Sequence, residues 1–171
     1  MQVLTGGYAA AVVTLQQALA VYRDLGDRAG QAEAMDGLGF VHGLTGDYPS
    51  AAACHQQALE LSRDLGARHD QADALNGLGE LSSRTAETQQ ARDYHTRALA
   101  IARELGGPLE EARALEGIGH SHLRDGNPGE GIAHLEQALA IYQRIGVPGA
   151  RRVQETLRLQ ALKPGSPSSM Q

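Results

Sequence analysis

The chain has 171 residues, a formal net charge of −5, a pI near 5.8 and one cysteine. Its positive charge is scattered arginine plus one lysine, Lys163, which argues against a nucleic-acid surface, since phosphates need clustered Lys and Arg. Cys54 can form no internal disulfide and suits a reducing compartment, no apolar run approaches the ~20 residues of a membrane span, and the N-terminus has no signal-peptide pattern, so a cytoplasmic location is expected.

The start of the chain, residues 1–7, is short and glycine-bearing, and Gly6-Gly7-Tyr8 parallels Gly46-Asp47-Tyr48. That parallel predicts a chain that enters a repeat at its middle. From residue 8 to 25 the apolar positions Ala11, Leu15, Ala18, Leu19 and Tyr22 recur at spacings of three and four, which predicts a helix with one buried stripe, ended by Gly26.

Beyond this point the chain repeats itself. Ala34-Met35-Asp36-Gly37-Leu38-Gly39-Phe40 returns as Ala74-Leu75-Asn76-Gly77-Leu78-Gly79-Glu80 and again as Ala114-Leu115-Glu116-Gly117-Ile118-Gly119-His120, each time 40 positions on. Ala18-Leu19, Ala58-Leu59, Ala98-Leu99 and Ala138-Leu139 keep the same interval. A fixed period of ~20–50 residues marks a stacked array in which each unit buries its apolar face on its neighbours. The pattern predicts units at 29–66, 69–106 and 109–146, each a pair of helices: 29–44 with 48–65, 69–84 with 88–105, and 109–124 with 128–145. A capping helix over 149–162 and a disordered Pro, Gly and Ser tail over 163–171 complete the expectation.

Turns carry glycine where the chain reverses, with Asp47 and Asn127 placed to cap the next helix. Ala86-Glu87 breaks the series, so either Ala86 is strained by roughly 1 kcal/mol in a left-handed turn or the turn there differs. Pro49, Pro108, Pro128 and Pro148 all fall at helix starts. Six glycines inside the first helices each weaken helix propensity by about 1 kcal/mol, which implies close approach of neighbouring helices.

The features Met35, Leu38-Gly39, Gly46-Asp47-Tyr48, Ala51 and Ala58-Leu59, with their counterparts 40 and 80 positions later, resemble the tetratricopeptide repeat over about residues 5–162. The period exceeds the usual of about 34 residues, and the Arg63-Asp64-Leu65-Gly66 ending is similar to long-period units of bacterial signal-transduction regulators. The resemblance implies an all-α, right-handed superhelix (an α-solenoid) of about eight antiparallel helices, whose concave wall is lined by the first helix of each pair. It implies a scaffold that binds a protein or peptide partner in that groove, with Glu33, Asp36, Phe40, Asp73, Asn76, Glu80, Arg84, Arg113, Glu116, His120 and Arg124 as contact residues. The charge order of this stripe predicts an acidic N-terminal half (Glu33, Asp36, Asp73, Glu80) and a carboxylate-binding C-terminal half (Arg84, Arg113, Arg124), with Phe40 as an apolar anchor. A sensor that binds a small signalling peptide or metabolite and a ligand-free spacer are the competing readings.

No enzyme, cofactor or metal is expected. Gly37-Leu38-Gly39 lacks the third glycine of a phosphate loop, and no two of the seven histidines stand three or four apart. His55 and His95 share their phase with Leu15 and Leu135, which predicts packing residues. Cys54 has no base beside it, and the pairs Glu116 with His120 and Glu130 with His134 read as surface pairs. The first predicted helix has no upstream partner, so an open apolar face and self-association through it are expected.

Overall fold

The computed structural model describes residues 2–162, with side chains from residue 7 onward, and contains eight α-helices: α1 (Gln2–Asp24), α2 (Arg28–Thr45), α3 (Tyr48–Asp64), α4 (Arg68–Arg84), α5 (Thr88–Leu105), α6 (Pro108–Arg124), α7 (Pro128–Ile145) and α8 (Gly149–Ala161). The tail predicted over 163–171 lies outside the described residues. Connections of two or three residues force each helix to run back along the one before it, giving an all-α superhelical repeat. Leu19, Leu38, Leu59, Leu75, Leu99, Leu115, Leu135 and Tyr142 are buried along one continuous core that threads the stack. Burying each such side chain contributes roughly 1.5–3 kcal/mol.

The reversals have the chemistry their residues dictate. Asp47 accepts a hydrogen bond from the Ser50 amide at 3.2 Å, and Asp27 does the same for Gly30 at 3.0 Å. Asn127 occupies the N-cap of α7 without a side-chain cap bond, and Glu87 at α5 makes none either. Gly46 and Gly126 adopt φ of 85° and 76°, and Ala86 is forced into the same left-handed region at φ 65°. Ala86 is the one non-glycine residue at positive φ among the described residues, so the strain anticipated at that turn is present.

The N-terminus departs from expectation. Residues 6–8 are helical and α1 begins at Gln2, not at residue 8. The parallel with Gly46-Asp47-Tyr48 fails because Gly7 stands where Asp47 caps α3 and so supplies no capping side chain.

The stack has an inner and an outer side. α2 touches α4 and α4 touches α6, whereas among the described residues no comparable contact joins α3 to α5 or α5 to α7. The first helices are therefore crowded together on the inner wall and the second helices splay outward. What permits that crowding is the Gly-x-Gly motif. The His55 ring is held between Gly39 and Gly77, where an added Cβ would stand 2.8 and 2.4 Å from ring atoms, and the His95 ring lies between Gly79 and Gly117 at 2.6 and 2.2 Å. Leu15 against Gly37 and Leu135 against Gly119 repeat the arrangement at the ends. A second-helix side chain thus slots between the glycines of its own unit and of the next, so the glycines serve packing rather than phosphate binding.

Candidate partner-binding wall

The inner wall consists of the stripe predicted on α2, α4 and α6, but the structure divides those residues between surface and interior. Glu33 and Phe40 on α2 are exposed, Phe40 to 50 %, and Leu44 one turn on is exposed too. Arg84 is exposed at the end of α4, on the edge of a cleft of about 30 Å³ that Phe40 and Leu44 also line. Asp36 is half-buried because His55 Nδ1–H donates to its Oδ1 at 2.8 Å.

Asn76 and Glu116, which occupy the same phase as Asp36, face inward instead. Asn76 is fully buried. Its Nδ2 donates to the Glu110 carbonyl at 3.1 Å, so its Oδ1 is left to accept from His95 Nδ1–H, also at 3.1 Å. That tautomer leaves His95 Nε2 a buried acceptor without a partner, and burial, reinforced by the Arg113 charge, pushes the His95 pKa down to about 4. Glu116 accepts from Arg152 Nε and Nη2, both at 2.7 Å, and from Tyr142 Oη at 2.9 Å. Burial alone would raise its pKa, but hydrogen bonds and charge from Arg152, with His120 3.6 Å away, hold it at about 2. Glu116 thus ties α6 to Tyr142 on α7 and Arg152 on α8.

The arginines predicted to receive a carboxylate are also engaged. Arg113 Nη1 donates to Asp73 Oδ1 at 2.9 Å and its Nη2 to Glu80 Oε1 at 3.0 Å, joining α6 to α4. Arg124 is exposed and donates to the Ser83 carbonyl. Of the basic C-terminal half of the expected gradient, Arg113 is therefore ion-paired within the molecule, whereas Arg84 and Arg124 stay exposed. Of the acidic half, Arg113 engages Asp73 and Glu80, while Glu33 stays exposed. Between α2 and α4 lies a pocket of about 250 Å³ whose walls include Glu33, Asp36, Asp70 and Asp73, with Gly37 and Ser62 beneath. Burial, helped by the charges of Asp36 and Glu110 and opposed by Arg113, raises the Asp73 pKa to about 6. The sequence stripe missed Asp70, which lies three residues before Asp73 and so shares its helix face.

The other chemical candidates resolve simply. Cys54 is half-buried, and burial raises its thiol pKa, so it is no activated nucleophile. His134 Nδ1–H donates to the Glu130 carbonyl at 2.8 Å rather than pairing with its side chain, and its ring stacks on His122 at 5.5 Å between centroids. Among the described residues no helix is long and apolar enough to cross a membrane.

Comparison with known proteins agrees with this geometry. Among solved structures, BtubC (BKLC) from P. vanneervenii superposes with a TM-score of 0.73 over 91 % of this chain and 67 % of that one, at 16 % identity. A putative kinesin light chain from Podosopora anserina with nearly identical TPR-like repeats gives 0.66 over 90 % and 77 %, at 15 % identity. MamA gives 0.54 over 79 % and 80 %, at 21 % identity. At such identities these likenesses establish the fold alone. Comparison with curated proteins gave no match. The profile of the tetratricopeptide repeat family matches residues 3–64, 45–104 and 70–144, so the chain belongs to the tetratricopeptide repeat family, whose fold ordinarily serves as a protein-interaction scaffold rather than a catalyst.

Proposed function

We propose that this scaffold binds an extended partner segment along the α2, α4 and α6 wall, anchored by a Lys or Arg side chain in the acidic pocket between α2 and α4. The observation that carries the reading is the pocket itself: about 250 Å³ walled by four carboxylates, with exposed Phe40 and Leu44 on the same helix as Glu33 and Asp36. A guanidinium or ammonium entering it gains charge-assisted hydrogen bonds, and an apolar partner residue gains the Phe40 face. The resemblance to long-period regulators supports a place in a bacterial cytoplasmic regulatory protein and a non-catalytic role. Of the two competing readings, a spacer is disfavoured by a formed pocket, and a metabolite sensor by the lack of an enclosed site among the pockets described.

The test is a peptide array of basic and apolar sequence, read by fluorescence anisotropy at two salt concentrations. Basic-apolar peptides should bind and weaken with salt. Glu33→Gln with Asp70→Asn should lower affinity about tenfold or more, while Arg124→Gln should leave it unchanged. Equal binding of acidic and basic peptides, or insensitivity to the double variant, would reject the pocket as the anchor.

A further inference from the structure

The Asp73 carboxylate held by Arg113 has a second neighbour. Its Oδ2 lies 3.4 Å from Nδ1 of His69, one turn earlier on α4, and Nε2 of the same ring lies 3.6 Å from Oε1 of Glu110 in the first turn of α6. One ligand atom from each of these three side chains falls within 4.8 Å of the others. A cation with bonds of about 2.0–2.2 Å to nitrogen and oxygen needs donors roughly 3–3.5 Å apart, so small side-chain adjustments would close the set around an ion.

Glu110 is the independent sign that something belongs there. Its side chain is 9 % exposed, and its Oε1 faces the ring of His69, the one ion-pair contact it makes among the described residues. Its Oε2 turns back over Gly107, where an added Cβ would stand 2.7 Å away, although Gly107 has φ −85° and no conformational need for glycine. A carboxylate so largely removed from water, with the His69 ring and the α6 N-terminal dipole set against its desolvation, has capacity left for a cation. Asp73 is already oriented, since Arg113 on Oδ1 leaves Oδ2 facing His69, in the way outer-shell hydrogen bonds orient metal-binding carboxylates. His69 is 61 % exposed, so its ring is free to turn and the remaining coordination positions open to water.

We propose that His69, Asp73 and Glu110 form a divalent transition-metal site that clamps α4 to α6 beside the acidic pocket. One imidazole with two carboxylates suits Zn²⁺ and its first-row neighbours, whereas Mg²⁺ and Ca²⁺ prefer six or more oxygens. The carboxylates of Asp36 and Asp70 nearby add a negative field that draws a cation in. The sequence search missed the site because it looked for paired histidines. The His69 and Asp73 pair has i, i+4 spacing, but Glu110 comes from the next unit.

Chelator-treated protein titrated with ZnCl₂ by calorimetry should bind about one ion per chain and show a raised thermal midpoint, with no such response to MgCl₂ or CaCl₂. His69→Gln, a surface change, and the isosteric Glu110→Gln should each weaken zinc binding at least about tenfold, more than loss of a typical outer-shell contact. His120→Gln with His134→Gln should leave it intact. No zinc binding, or zinc binding that survives both His69→Gln and Glu110→Gln (an adventitious ion only), would overturn the proposal.

Discussion

Replacing Gly117 by alanine isolates the packing principle of the array. In an exposed helix the change would stabilise by about 1 kcal/mol through helix propensity. Here the new Cβ would stand 2.2 Å from His95 Nε2, a distance that real Cβ atoms essentially never show. The ring cannot retreat, because it is 1 % exposed, its other face rests on Gly79, and its Nδ1 is tied to Asn76. Overpacking of this kind costs about 1–3 kcal/mol, and displacing the ring forfeits a hydrogen bond of about 1 kcal/mol, so the net loss is about 1–3 kcal/mol after the propensity gain. Gly43→Ala is the matched control, because its Cβ would meet only Ala51 Cβ at 4.0 Å, and it should stabilise by up to about 1 kcal/mol. Urea denaturation followed by far-UV circular dichroism reads both. With a slope of about 2 kcal/mol per molar, the midpoints should move in opposite directions, by roughly 0.5–1.5 M for Gly117→Ala and by up to about 0.5 M for Gly43→Ala. In a His95→Ala background the Gly117→Ala penalty should vanish. A Gly117→Ala protein as stable as the parent, or a penalty that persists without the His95 ring, would refute the reasoning.

Three other perturbations test separate parts of the structure. Ala86 at φ 65° makes the α4–α5 turn the weakest reversal, so Ala86→Gly should stabilise by up to about 1 kcal/mol, and amides at that turn should exchange faster than those around Gly46 in the parent; equal protection refutes the strain argument. His95, with a pKa of about 4 in the fold and about 6.5 unfolded, stays neutral while the unfolded chain takes up a proton, so its share of stability, present above pH 6.5, is lost as pH falls toward 4, by about 3 kcal/mol. Asp73 works in the opposite sense between pH 6 and 3.8, so the His95 share is read as the difference between parent and His95→Leu stability curves, and a difference that does not change with pH would contradict it. Val13 and Val21 on α1 are 52 % and 55 % exposed, so light scattering should show self-association that Val13→Glu with Val21→Glu abolishes; a monomer at tens of micromolar would exclude it.

Helix positions were legible because their signals are local. A left-handed residue after each stripe, a proline in the first turn and apolar spacings of three and four each act within one or two turns of chain, and Ala86 followed the same rule even where its side chain opposed it. The Gly-x-Gly motif was legible only by half. Its glycines announce close approach, but that an imidazole fills the gap at His55 and His95 depends on which second-helix side chain points between two units, and that is a relation across 16 to 22 positions of sequence. The start of α1 was misread because a glycine pair looks the same whether it reverses a chain or lies within a helix; only the capping Asp47 distinguishes the two, and α1 has no counterpart.

The site was harder, because phase within a unit says which way a residue points but not what the next unit holds opposite it. Position 33, 73 and 113 is one phase, and it carries Glu, Asp and Arg in turn. Neighbours at this phase face each other across adjacent inner helices, as the 40-residue Asp73–Arg113 ion pair shows. Between α4 and α6 the charges are opposite, and the wall there is drawn together by Arg113, which gathers Glu80 as well. Between α2 and α4 the same phase sets Glu33 against Asp73, with Asp36 and Asp70 beside them, and there the wall holds a pocket instead of a bridge. The expected gradient of charge along the groove is thus spent unevenly: Arg113 locks one inter-unit junction, and carboxylates are in excess at the other. This arithmetic of neighbours produces an acidic pocket at that one junction, which is why a cationic group is the occupant proposed for it.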